Sequence, residues 1–164
     1  MKEPAYPLTI FYDRSCPLCA EELHAIRDYD HDNRLQLIDC SPPGFYDDAA
    51  AEAGVSAFDL MHQIHARDAA GRWYKGVDVF VIAYRAAGIE ALARLWAWPR
   101  LRPLWDRIYM WVARNRYWLS RLHLNAPFGW LVRRMARRAR ARLERQASCT
   151  TDTLCDCPAD HTES

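Results

Sequence analysis

The stretch "FYDRSCPLCAEEL", residues 11–23, decides how this chain is read. A short apolar run ends at Tyr12, two cysteines follow with two residues between them, and a helical pattern starts at Pro17. Read backwards, the stretch extends to "PLTIFYD" (Pro7–Asp13), rich in β-formers and short enough for a buried strand. Read forwards, Leu18, Leu23 and Ile26, with Ala25 and Tyr29, fall on one face of a helix ending near "DHDN". The cysteine pair therefore sits where a strand feeds a helix.

That position carries chemistry. Thiol–disulfide exchange needs a thiolate, and a free cysteine at neutral pH is mostly protonated. At the first turn of a helix, Cys16 meets unpaired backbone N–H groups and the positive end of the helix dipole. Arg14 adds positive charge if its side chain folds back. Cys19 lies about one turn further on, so the two sulfurs come within bonding distance without distorting the helix. The spacing assigns Cys16 as nucleophile and Cys19 as the resolving thiol. Pro17 fits the first turn without removing an intrahelical hydrogen bond.

Two other readings of the pair compete. The cysteines can be plain core residues, or they can be half of a zinc site. Zinc needs two more ligands, and the candidates are Cys40, His24, His62 and His65. Cys40 ends the second strand on the cysteine-pair edge of the sheet and reads first as a small inert hydrophobe. His62 and His65, three apart in a strand, face opposite ways and argue against a shared metal. The redox reading calls for no cofactor and no metal.

The rest of the front half supplies the fold. "RLQLIDC" (Arg34–Cys40) reads as a second strand, and "SPPG" breaks the chain. "YDDAAAEAGVSAFDL" is a short helix, a stop at Gly54 and a further turn. "MHQIHARD" reads as a third strand, "AAG" as a turn and "RWYKG" as the returning strand. "VDVFVIAYRAAG" places Val77, Phe80, Val81 and Tyr84 on one helical face, with Gly88 as the stop and Asp78 as its N-cap. The order β-α-β-α-β-β-α is that of an α/β, thioredoxin-like fold: a central mixed sheet flanked by helices. A helical C-terminal extension and a flexible tail follow.

With those residues in view, the chain resembles the DCC family of thiol-disulfide oxidoreductases over roughly Leu8 to Leu122. The resemblance rests on "YDRSCPLC", the later hairpin with "GVDVFVIAYRAAG", and "WPRLRPLWDRIYMWVARNRYWLSRL". The family is named for an aspartate followed by two cysteines, here Asp13, Cys16 and Cys19. It implies catalytic roles for these three residues and a protein or small-molecule thiol or disulfide as substrate. Asp13 has two readings: a carboxylate that accepts the buried thiol's proton, or a strand-end residue that caps the following turn. Thioredoxins set a cis-proline before the third core strand. Here that place falls on Leu60–Met61, an ordinary trans bond, so substrate capture differs.

Composition sets the frame. A chain of 164 residues, half of it hydrophobic, supports one core. Six unevenly placed cysteines do not make a disulfide scaffold, and "MKEPAYPLTIFYDRS" has no secretory apolar core, so the reading is cytoplasmic. The net charge of +1 hides an asymmetry: residues 1–93 balance to −7, residues 94–145 to +12 and the last nineteen to −4. The division follows it, with a redox domain over 1–93, a basic helical extension over 94–145 and a disordered cysteine-containing tail over 146–164.

In the extension, Leu101, Leu104, Trp105, Ile108 and Val112 form one apolar stripe, and Phe128, Leu131, Val132, Met135, Ala139 and Leu143 another. Seven arginines lie between 133 and 145. This basic face suits an anionic membrane or a partner, with nucleic acid disfavoured, although tryptophans at helical spacing first suggest packing. Cys149, Cys155 and Cys157 are incidental, or relay thiols that attack the Cys16–Cys19 disulfide, or with His161 a soft-metal site. The alternative for the whole chain is a non-catalytic metal-binding or adaptor protein.

Overall fold

A computed structural model of the chain describes residues 3–121 together with 130, 134, 137, 138 and 141. At its centre runs β1 (Leu8–Tyr12), buried at all five positions. It pairs in parallel with β2 (Leu35–Asp39) and antiparallel with β3 (His65–Arg67), which pairs antiparallel with β4 (Trp73–Lys75). The sheet order is β2-β1-β3-β4, the mixed sheet expected from the sequence. Parallel neighbours need a crossover, and α1 (Pro17–Arg27) provides it.

Successive residues of a strand point to opposite faces, and β1 buries both. Leu8, Ile10 and Tyr12 enter the larger core with Leu23 and Ile26 of α1 and with Val79 and Ile82 of α4 (Val77–Ala86). Phe11 points the other way, into a smaller cluster with Cys40, Ala50 and Leu60, under α2 (Asp48–Glu52) and α3 (Ala57–His62). Each fully buried side chain of this size contributes about 1.5–3 kcal/mol. This double burial is why a five-residue strand organises the domain. Beyond α4, α5 (Glu90–Ala97) packs on it, and α6 (Arg102–Arg121) crosses back onto α1. No helix of the described residues is long and apolar enough to cross a membrane.

Several expectations change. The third strand is only His65–Arg67, because Met61 and His62 close α3. A capping box starts that helix: Ser56 accepts from the Asp59 N–H, and the Asp59 carboxylate accepts from the Ser56 N–H. His62 and His65 are therefore not two residues of one strand. His62 Nδ1 lies 3.1 Å from the Phe58 carbonyl and His65 Nδ1 2.8 Å from that of Gln63. Asp78 is not the N-cap of α4. Gly76 holds that position at φ +59°, and Asp78 instead binds Arg102 Nη1 at 2.6 Å, tying α6 to the start of α4.

The apolar stripe on α6 is only partly the packing face: Trp105, Ile108 and Val112 line a cavity, Ile108 with part of its side chain in solvent, whereas Leu104 is exposed and off that lining. The second stripe, the Phe128 to Leu143 set, and the tail with Cys149, Cys155, Cys157 and His161 lie outside the described residues.

Candidate functional site

The strand-to-helix junction holds the cysteine pair where the sequence places it. Cys16 is the N-cap of α1 with extended backbone, and Pro17 is the first helical residue. Asp13 ends the strand run and organises the turn between them: its Oδ1 accepts from the Ser15 N–H at 2.9 Å and the Ser15 hydroxyl at 2.6 Å. Its Oδ2 accepts from Tyr117 at 2.5 Å and pairs with Arg116 Nη2 at 3.0 Å. The turn-capping role of Asp13 is thus realised, and the same carboxylate anchors α6 from 103 positions away.

Arg116 is the hub of that contact. The same guanidinium donates to the carbonyl of Met61. Among the described residues the cis peptide joins Tyr6 to Pro7, so Leu60–Met61 is trans, and an arginine occupies the Met61 carbonyl. Tyr109 makes a second tie, its hydroxyl accepting from the Ile64 N–H at 2.9 Å. Arg14, expected to fold back on the thiol, is exposed, and its N–H donates to Asp39. Arg116 supplies the positive charge in its place.

The two thiols are strongly differentiated. The Cys19 thiol, hydrogen-bonded to the Cys16 sulfur, is the largest influence lowering Cys16. The Cys19 backbone N–H, the Arg116 charge and the Ser120 hydroxyl add to it against the opposing effect of burial. Cys16 is brought down from 9.0 to about 6. At pH 7 that makes about ten thiolates for every thiol, against about one in a hundred at the ordinary value. Cys19 moves the other way, held protonated first by that hydrogen bond, then by burial and the Cys16 charge.

Acidity and access do not coincide. Cys16 is 0% exposed, with Ser120 Oγ of α6 at 4.0 Å from its sulfur. Cys19 is half-buried and lines a cavity of about 470 Å³ between α1, α4, α5 and α6. One turn further along α1, Glu22 lines the same cavity and accepts a 2.8 Å hydrogen bond from the buried Tyr84 hydroxyl. Burial raises Glu22 from 4.5 to about 7, against the smaller effect of Tyr84. Sequence reading missed Glu22; its signal was an acid at i+3 from Cys19 on the side of the helix that packs.

Cys40 stands apart. Its thiol donates to the Tyr12 carbonyl at 3.0 Å, and burial first, then the Asp13 charge, raises it to about 11. It belongs to the small cluster on the opposite face of the sheet from the larger core. Among the described residues no three His, Cys, Asp or Glu side chains gather as a metal site, and His24 pairs with Tyr12 at 3.1 Å.

A proton-poor sulfur, a proton-rich sulfur in contact with it and a nearby arginine form the arrangement that dithiol–disulfide exchange uses. No curated protein and no solved structure matches the chain. Residues 10–122 match the family model for DCC1-like thiol-disulfide oxidoreductases, a span that takes in the cysteine pair, Asp13 and the covering residues Arg116 and Ser120. The chain belongs to the DCC1-like family of thiol-disulfide oxidoreductases.

Proposed function

We propose that Cys16 and Cys19 are the catalytic dithiol, with Cys16 resting as the thiolate and Cys19 as the thiol. Asp13 positions Arg116 toward them. The observation that carries this reading is the convergence on one sulfur of Cys19 from α1 and of Arg116 and Ser120 from α6. On this reading the redox unit of residues 1–93 is incomplete without the helices after it, because two of those groups come from α6. A cytoplasmic setting belongs to the same proposal; a reducing compartment keeps such a pair poised for exchange.

A redox titration with zinc analysis tests the assignment. We expect a reversible two-electron couple between Cys16 and Cys19 and a thiol titrating near pH 6. Unreactive thiols with stoichiometric zinc would select the non-catalytic metal-binding alternative. For Asp13, the Asp13→Asn variant should move the Cys16 titration upward as Arg116 loses its anchor. An unmoved titration would leave Asp13 a purely structural residue.

A second reading concerns the outer face of α6. Arg107, Trp111, Arg114, Trp118 and Arg121 follow one another at spacings of four and three, all exposed, with Trp111 at 55% and Trp118 at 57%. Alternating cations and tryptophans on one helical face suit an anionic membrane surface. Flotation with liposomes containing phosphatidylserine tests this, and failure to co-float would discard it.

A further inference from the structure

The cavity beside Cys19 is not used by any step above. Phe80, Leu95, Trp96, Trp105, Ile108 and Val112 make its walls overwhelmingly apolar. Its volume of about 470 Å³ falls in the range of small-molecule pockets, about 300–1,000 Å³. The charged groups on its lining are already committed. Arg116, the cation among the described lining residues, is held by Asp13 and the Met61 carbonyl, and Glu22 is held by Tyr84. A ligand bearing carboxylates would find no free cation there. Cys16, sealed under Ser120, is not on the lining, whereas Cys19 is.

We propose that this cavity admits low-molecular-weight thiols and disulfides with an apolar body, and that Cys19, not Cys16, is the sulfur they bond to. The proposal rests on the dithiol reading above and names its substrate class. It divides the work differently from the assignment that the cysteine spacing gives. Cys16 is the acidic thiol, but its role is that of leaving group.

Starting from the Cys16–Cys19 disulfide, a substrate thiolate attacks the Cys19 sulfur. The protein S–S bond breaks, and its electron pair goes to Cys16, whose thiolate Arg116 and Ser120 hold. A less basic thiolate leaves faster, so attack on the Cys19 side is the favoured direction. A second substrate thiolate then attacks the substrate sulfur of the mixed disulfide. This releases the substrate disulfide and leaves Cys19 as a thiolate, which takes the proton of the Glu22 carboxyl one turn away. Two substrate thiolates are oxidised to one disulfide, and the protein disulfide is reduced to the Cys16 thiolate and the Cys19 thiol. Run backwards, the same steps reduce an apolar disulfide.

The test uses the full chain in its oxidised form and a series of straight-chain thiols from ethanethiol to hexanethiol, whose acidities are nearly equal. Each added methylene that enters the cavity should speed reduction about fourfold until the chain outgrows it. Acid quenching, alkylation and peptide mapping should place the trapped adduct on Cys19, and the Cys16→Ser variant treated with dihexyl disulfide should form the same adduct on Cys19, releasing one hexanethiolate. Filling the cavity with Ala113→Trp should flatten the series. A flat series in the unaltered protein, an adduct on Cys16, or Cys19 bonded to Cys149, Cys155 or Cys157 overturns the proposal. Titration of the same sample with dithiothreitol separates the two failures. Absence of a Cys16–Cys19 couple sinks the dithiol reading itself, whereas an intact couple with a flat series sinks only the cavity.

Discussion

Replacing Glu22 by glutamine tests the electrostatics of the cavity independently of any substrate. The carboxyl is raised from 4.5 to about 7 because burial disfavours its charged form, and its hydrogen bond from Tyr84 only partly offsets this. Folded protein therefore binds the Glu22 proton more tightly than unfolded protein does. Below pH 4.5 both states hold the proton and nothing is lost. Between 4.5 and about 7 the unfolded state gives it up first, so stability falls as pH rises, and above about 7 the full penalty stands.

At about 1.4 kcal/mol per tenfold change in acidity, that gap amounts to ~3 kcal/mol at pH 8 and to ~1 kcal/mol at pH 5. Water entering the cavity makes ~3 kcal/mol a ceiling. Glutamine is neutral throughout and keeps an oxygen to accept from Tyr84. Glu22→Gln should thus stabilise the fold more at pH 8 than at pH 5, measured by urea unfolding at both pH values. Equal effects at the two pH values, or destabilisation at pH 8, would refute the burial argument.

The remaining predictions concern the site and its frame. Cys19→Ala removes the largest influence on Cys16 and should raise its pKa from about 6 by more than tenfold in acidity, read by thiolate absorbance. Ser120→Ala should move it less, and the reverse order would contradict the account. Arg116→Met leaves Asp13 buried without its ion partner and should destabilise the protein by about 3 kcal/mol in chemical denaturation. Adding Asp13→Asn should recover part of that, and strict additivity would show that the two do not interact. At Gly76 the backbone has φ +59°, and an added Cβ would lie 2.7 Å from Gln63 Nε2. Gly76→Ala should therefore destabilise by more than ~1 kcal/mol and lower the melting temperature, and an unchanged melting temperature would contradict that strain.

Much of the frame was legible in the chain because its determinants are local. The all-apolar run at Leu8–Tyr12, the proline after Cys16 and the glycine stops follow from strand burial, helix-start geometry and positive φ, which neighbouring residues encode. The capping box at Ser56 and Asp59 is equally local: it starts α3, which takes Met61 and His62 out of the expected third strand. The Asp78 and Arg14 expectations failed for another reason. Each had a plausible nearby role, and a distant partner decided the outcome: Arg102 took Asp78, and Arg116 supplied the charge expected of Arg14.

By itself the sequence determined a cysteine pair at a strand-to-helix junction, the order of the elements along the chain and a mixed sheet, and it favoured redox chemistry for the pair. The helix start already pointed to Cys16 as the acidic sulfur; only the tertiary structure decided how far the two thiols differ and which of them is accessible. Both depend on α6, whose Arg116 and Ser120 lie about a hundred residues beyond the pair and carry no periodic signal of their own. Apolar spacing reports which face of a helix is buried. It does not report that a polar residue on that face will seal one thiol while the residues beside it leave a cavity open to the other.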